Sequence, residues 1–294
     1  MLDWDDLRSF LALARTGSLS AAARALNVRQ TTMGRRLAAM ETRAGAPLLT
    51  RSSEGLIPTA LGAAILANAE RIEVEALSVE RIIQGHDTGL EGIVRITTVE
   101  TLAVEIIVPI LARVQDAHPR LALELVPATR NLSLTRHEAD ISVRIAQVTQ
   151  QDLVARRVGA VAFGIYASKA YLAAHGMPDL TLGCPGHRRI TTQSDLEHLP
   201  DTAWFASVTH KTQVALRSNS RFVHQAACRA GQGLACLGRY LGDGTDLVLL
   251  PAPAAPRRDI WLAMHQDIRH TPRIRVVADA IADGLRGDPR LDPR

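Results

Sequence analysis

Lysine is almost missing from this 294-residue chain: Lys169 and Lys211 stand against 32 arginines. With abundant alanine, that bias points to a GC-rich bacterial genome more than to a function. Cysteine is sparse and odd in number: Cys184, Cys228 and Cys236 show no metal-ligand spacing. Buried packing residues are expected, and a redox pair between Cys228 and Cys236 is the sharper alternative, requiring α-carbons within ~7 Å. No stretch approaches the ~18–20 unbroken apolar residues of a membrane span. The first residues, Met-Leu-Asp-Trp-Asp-Asp, are acidic where a secretory signal is basic, so a cytoplasmic location is expected. Catalytic signatures are absent too: no Gly-x-Ser-x-Gly elbow, phosphate loop, dinucleotide fingerprint or His-Glu-x-x-His. No pair of the ten histidines has helical i, i+4 spacing, and His265 and His270, five apart, read as ordinary histidines rather than a zinc pair. The chain is expected to be no enzyme and to need no cofactor or metal.

What is present suits a globular protein of two domains: 47% hydrophobic and 22% charged residues over this length. A net charge of +4 does not by itself argue for nucleic acid, but local clustering does. Between Arg24 and Arg51 there are six arginines and one acid, Glu41. The same stretch, 17–41, reads as two short helices over a tight turn. Ser18 or Ser20 suits the first helix as a cap, and Leu19, Ala22, Ala23 and Leu26 form its apolar face. Asn27-Val28-Arg29 breaks the period. From Gln30, Met33, Leu37 and Met40 recur at i, i+4 and i+7, one stripe of a helix. Opposite the stripe lie Thr31, Gly34, Arg35 and Ala38, with Gln30 near the helix start. That face is small and polar with one cation. It suits a DNA major groove, where close approach, an amide for base edges and an arginine are needed. An ordinary helical hairpin with a basic rim is the plain alternative.

The flanks extend the pattern. Leu7-Arg8-Ser9-Phe10-Leu11-Ala12-Leu13-Ala14 precedes Gly17-Ser18, and Gly45, Leu48, Arg51, Gly55-Leu56 and Pro58-Thr59-Ala60-Leu61-Gly62 follow Glu41. Residues 1–62 resemble, without a gap, the winged helix-turn-helix of the LysR-type transcriptional regulators. In that family the second helix usually opens with Ser-Gln-Pro and carries Ser-Arg one turn later. Here Arg29-Gln30-Thr31 and Gly34-Arg35 stand there. The resemblance implies DNA contacts from Gln30, Thr31 and Arg35. Arg29 replaces a serine and suits a phosphate, and Gly34 lets the backbone sit closer to the bases. Arg36 and Arg51 are expected to help on the DNA backbone, with Arg51 at the base of a wing over 43–61 as a minor-groove or phosphate contact.

Residues 60–84 read as one long helix. Ile65, Ala69, Ile72, Ala76, Val79 and Ile83 are spaced as a heptad seam, which fits two helices lying together. The resemblance implies a dimerisation helix, and two half-sites on DNA need a symmetric pair of heads. Gly85-His86-Asp87-Thr88-Gly89 reads as a hinge. Strands and helices then alternate: strands over 93–97, 121–126, 140–145, 214–217, 234–237 and 260–265, and helices over 102–118, 132–137, 221–230 and 272–285. Residues 154–167 are β-rich and suit a crossing into a second sheet, whereas 177–213 show no clear period. This grammar argues for an α/β fold with a parallel sheet. Residues 90–286 resemble the family's effector-binding domain, which has the two-lobed fold of type 2 periplasmic binding proteins. Its recognisable pieces are Gly92-Ile93-Val94-Arg95-Ile96, His118-Pro119-Arg120-Leu121, 138–144 and 265–275.

The expected class is therefore α+β multidomain. Residues 1–62 form the DNA-binding head, 63–89 the linker helix and hinge, and 90–294 the effector domain. Its first lobe spans about 90–162 and 264–294, its second about 163–263. Ligands of open α/β sheets sit beyond the carboxyl ends of strands. The corresponding residues are Thr98, Thr101, Asn131 and Arg144, with Ser220 and Phe222 across the cleft and Trp204-Phe205 nearby. They suit a carboxylate or another small polar group; each also suits a cap or turn. Glu100 in the same mouth repels a bare anion unless it is paired. The leading expectation is a regulator that binds double-stranded DNA as a homodimer or homotetramer and answers to a small-molecule effector. The alternative is a cytoplasmic small-molecule binding protein or two-lobed enzyme whose basic head serves assembly.

Overall fold

A computed structural model describes residues 3–53, 55–85, 89–127, 134, 139–147 and 152–291. The chain divides into two compact units, 1–81 and 82–294.

The first unit opens with α1 (Trp4–Thr16), capped by the Asp3 carboxylate and ended by Gly17 in the left-handed region, φ 65°. α2 (Leu19–Ala25) and α3 (Gln30–Ala44) follow. Ser18 caps α2, and Asn27 makes the turn at φ 52°, a conformation asparagine tolerates better than most residues. The stripe read from the sequence is the inner one: Met33 and Met40 are buried with Phe10, Leu11, Leu13 and Leu48. Each such side chain contributes roughly 1.5–3 kcal/mol by leaving water.

The wing is β1 (Leu49–Ser52) paired antiparallel with β2 (Gly55–Pro58). Two links hold it to the helices. The Leu56 amide donates to the Gly17 carbonyl at 2.8 Å, and the Glu41 carboxylate accepts from the amides of Leu48 and Leu49 at 2.8 and 3.3 Å. Gly55 has φ 116°, and a β-carbon there would lie 2.6 Å from the Gly17 oxygen, so the close approach requires glycine.

α4 (Ala60–Gly85) starts at the wing, where the Thr59 hydroxyl caps the Gly62 amide at 3.1 Å. Arg15 grips its second half through a two-pronged pair with Glu73, at 2.9 and 2.6 Å. The expected seam divides in two. Ile65 and Ala69 pack into their own head, whereas Ile72, Val79 and Ile83 are 47, 57 and 67% exposed.

The second unit is built on one nine-stranded sheet. Three strands form the first lobe: β3 (Gly92–Thr98) lies parallel to both β4 (Leu121–Pro127) and β5 (Ile141–Arg144). Two long antiparallel strands, β6 (Leu153–Ser168) and β11 (Arg257–His265), cross into the second lobe. There β9 (Leu234–Gly238) pairs with β6 and with β7 (Arg188–Thr191), and β7 pairs with β8 (Gln213–Arg217). β10 (Leu247–Leu250) lies along the far end of β6. The β-rich stretch is thus a single strand shared by both lobes. The expected turn residues 129–131 and the short helix over 132–137 fall almost entirely outside the described residues.

Helices cover the sheet: α7 (Lys169–His175), α8 (Pro200–Val208), α9 (Arg221–Arg229), α10 (Arg239–Gly242) and the closing α11 (Pro272–Gly287). The helix expected over 102–118 is interrupted. α5 (Glu100–Leu102) passes through a π-helical turn at Ala103–Ile107 into α6 (Val108–Ala117). Pro109 has no amide to give the Glu105 carbonyl four residues back. Arg290 donates to that carbonyl instead, at 2.9 Å.

Two glycines predict opposite outcomes. A β-carbon on Gly62 would meet the Leu48 carbonyl oxygen at 2.0 Å, whereas one on Gly34 meets nothing within 4 Å. Gly62→Ala is expected to destabilise the first unit by roughly 1–3 kcal/mol or more. Gly34→Ala is expected to stabilise it by about 0.5–1 kcal/mol through helix propensity. Calorimetry of the full chain reads both in the first unit's transition.

Candidate functional site

The outer face of α3 carries Thr31, Arg35 and Ala38, all exposed, and the half-buried Gly34, with Gln30 exposed on the flank at the helix start. Arg29 precedes the helix as its N-cap residue without a side-chain cap bond, and Arg51 stands exposed on β1. Arg24, on α2, is exposed beside them. Among the described residues Arg24, Arg29, Arg35 and Arg51 make no ion pair.

Arg36, expected to help on the DNA backbone, turns away from this face. Its guanidinium turns to α1, where it pairs with Asp5 at 2.9 Å and reaches the Ser9 hydroxyl at 3.4 Å. Arg43 pairs with Asp6 in the same way. The acids of α1 thus hold the rear arginines.

In the second unit the lobes meet through the residues expected at the cleft. The Ser220 hydroxyl, before α9, donates to the Glu100 carboxylate at 3.0 Å. Thr101 shares a 2.6 Å hydrogen bond with the Tyr240 hydroxyl of α10. Arg144 is buried at the end of β5 and donates to the Thr97 hydroxyl at 2.8 Å; burial pushes its pKa down to about 10. Thr98 is fully buried, and its hydroxyl has no hydrogen-bond partner among the described residues. Phe222 packs at the margin of the core. Asn131 lies outside the described residues. Trp204 and Phe205 serve packing: the Trp204 indole donates to the Pro253 carbonyl at 3.1 Å, and Phe205 is in the core. A groove of about 720 Å³ lies elsewhere, between α6 and α11, with Ile106, Ile110 and Ala280 in its walls.

Comparison with known proteins decides the family. Residues 4–63 match the family described as bacterial regulatory helix-turn-helix protein, lysR family, and residues 87–286 match the LysR substrate binding domain. The chain belongs to the LysR family of transcriptional regulators. It is 30% identical over 299 residues to the Mau operon transcriptional activator of Paracoccus denitrificans, covering 98% of this chain and 99% of that one. It is 25% identical to the regulator CrgA of Neisseria meningitidis, with 96% of each covered. The solved structure of CrgA shares the fold at a TM-score of 0.61 and 24% identity, covering 98% of this chain and 100% of that chain. The structure of full-length CbnR complexed with its target DNA shares it at a TM-score of 0.59 and 15% identity, covering 96% and 100%. These relatives are named as regulators, which points away from an enzyme.

One cluster of this LysR-type domain escaped the sequence reading. Asp201, fully buried at the start of α8, accepts from Arg221 of α9 and, at 2.7 Å, from Arg258 of β11. Arg258 also donates to the Ile145 carbonyl at 2.6 Å, just beyond β5. The group therefore ties the second lobe to the crossing strand and to the first lobe. No sequence spacing announces partners 20 and 57 residues apart. His224 completes it: Nε2–H donates to the Ser218 carbonyl at 2.9 Å, while Nδ1 faces Arg221. Burial, and then the Arg221 charge, push its pKa down to about 4. The cysteines are free and buried; burial pushes the Cys228 and Cys236 thiols up to about 12, which suits packing rather than redox chemistry.

His224 generates a pH dependence. The unfolded chain binds its proton near the ordinary histidine pKa of ~6.5, and the folded chain only near 4. Stability of the second unit is therefore complete above about 6.5 and lost as pH falls towards 4, by roughly 2–3 kcal/mol. Urea unfolding from pH 7 to 4.5 measures it, and His224→Gln is expected to flatten that slope.

Proposed function

We propose that this LysR-type regulator reads DNA with α3. Gln30, Thr31 and Arg35 face base edges, and Gly34 permits the close approach. Arg29, Arg51 and Arg24 neutralise phosphates. The observation that carries the reading is the set of four arginines that make no ion pair among the described residues, around a small, polar helix face. A major groove admits such a helix, and arginine is the commonest reader of guanine. An assembly surface, the alternative use of this head, is apolar, and this face is not. We further propose a homo-oligomer paired through Ile72, Val79 and Ile83 of α4, acting in the cytoplasm. Among the described residues no helix is long and apolar enough to cross a membrane.

The same reading assigns a small effector to the seam between lobes, near Thr98, Thr101, Arg144, Ser220 and Phe222. Its energetic requirement is a difference in affinity between two arrangements of the protein, since equal affinity shifts nothing. Glu100 is engaged by Ser220, so an entering ligand must replace that hydrogen bond.

Two measurements test these assignments. Arg35→Ala is expected to lose ~1–3 kcal/mol at one base position, and wild-type affinity to fall steeply with salt as phosphate contacts release counterions. Fluorescence anisotropy on duplex DNA reads both; unchanged sequence preference removes Arg35 from the reading set. Thr98→Val separates structure from ligand binding. Removing a buried hydroxyl that has no partner among the described residues is expected to leave stability unchanged or raise it by about 1 kcal/mol. The same variant is expected to weaken the transcriptional response in cells; an unaltered response removes Thr98 from the effector site.

A further inference from the structure

The first turn of α3 is held from α2. The Ser20 hydroxyl donates to Oε1 of Gln30 at 3.2 Å, and both residues are exposed. α2 has little freedom to roll. Ala22 and Ala23 are buried on its inner side, Ser18 caps its start, and the Val28 amide donates back to the Ala23 carbonyl at 3.0 Å. The Ser20 hydroxyl therefore occupies a fixed place beside Gln30. A glutamine amide carries an acceptor oxygen on one branch and two donor hydrogens on the other. With the oxygen drawn towards α2, Nε2 points away from α2.

We propose that Ser20 is a positioning residue for base readout: it sets which end of the Gln30 amide meets the DNA. Gln30 then offers donors and reads an acceptor in the major groove. Guanine presents N7 and O6, adenine N7 and thymine O4, whereas cytosine presents only the N4 donor. Cytosine is thus the base rejected on the contacted strand. A free amide can turn over and accept from cytosine, so the selectivity lies in the hold rather than in glutamine itself. The proposal rests on Gln30 facing DNA, as proposed above.

The test uses the full-length protein and a duplex selected from a random library by the wild type, with each base pair then substituted in turn. Ser20→Ala is expected to admit cytosine at one position, lowering discrimination there by roughly fivefold or more and leaving the other positions unchanged. Ser20→Thr, which keeps the donor, is expected to restore the wild-type profile. In a Gln30→Ala background, Ser20→Ala is expected to change nothing further. If Gln30→Ala alters the profile but Ser20→Ala does not, the positioning role is overturned while Gln30 keeps its place at the DNA. A loss from Ser20→Ala that is equal on every duplex also overturns it, because it marks a phosphate contact. If Gln30→Ala leaves every base preference intact, the underlying assignment of Gln30 fails and the proposal with it.

Discussion

Asp5 and Asp6 decide which arginines of the head face outward. Asp5 takes Arg36, with Arg8 also at 4.0 Å, and Asp6 takes Arg43, so that both α3 arginines are held against α1. Arg36–Asp5 is a partly exposed pair, and pairs near the surface contribute little to stability, about 0–1 kcal/mol, whereas Asp6 is buried under Arg43. Their consequence is spatial. With the rear cations neutralised at short range, the unpaired charge of Arg24, Arg29, Arg35 and Arg51 is concentrated at the motif and wing. An excess of +4 over the chain thus becomes a directed field without a strongly basic protein. Glu41 belongs to the same logic. As the one acid between Arg24 and Arg51 it spends its carboxylate on the Leu48 and Leu49 amides, so it fixes the wing beside α3.

The effector domain uses buried charge in a different way. Asp201 in the interior takes two arginines from two other elements, α9 and β11, so its removal leaves two partly buried cations without it. Breaking such a group costs several kcal/mol, although an apolar replacement of the whole is often neutral. The cluster therefore specifies the arrangement more than it strengthens it. β6 and β11 fix the lobes along the strand direction, and Arg258, on β11, grips α8 and the end of β5 together. The neutral tautomer of His224 belongs to this arrangement, since a second cation beside Arg221 would oppose it.

Much of the head was legible because its signals are local. Met33, Leu37 and Met40 on one stripe and a serine before α2 each act within a few residues, whereas Gly55 and Gly62 face Gly17 and Leu48, distant in sequence, and were marked only by the resemblance. The wheel already sets Arg36 apart from the outer face. It lies only about 60° round the helix from Met33, on the flank towards α1, and its partner Asp5 is 31 residues away. Gln30 lies about as far round on the other flank, which is why Ser20 of α2 reaches it. The heptad seam hid a boundary of the same kind: Ile65 and Ile72 are alike in the period, and tertiary packing alone buries one and leaves the other in water. In the second lobe, 177–213 gave no period because β7 is four residues long and all its partners are distant strands. Cys184 at φ 57° between Gly183 and Gly186 adds a turn that no pattern announces.

A candidate list drawn from strand ends does not say which of its residues are already engaged. Thr101 and Ser220 stand where a ligand was expected, yet each already serves the other lobe. A ligand gains nothing from a hydrogen bond that merely replaces an internal one, because the net value of such an exchange is small. On the proposed reading its affinity comes from groups without an internal partner, and the fully buried Thr98 hydroxyl has none among the described residues. The gain on binding is realised only in the arrangement that aims that hydroxyl at the ligand, which is the differential affinity a switch requires. On the proposed reading, an effector at this seam would act by exchanging the Glu100–Ser220 and Thr101–Tyr240 bonds for a set that includes Thr98.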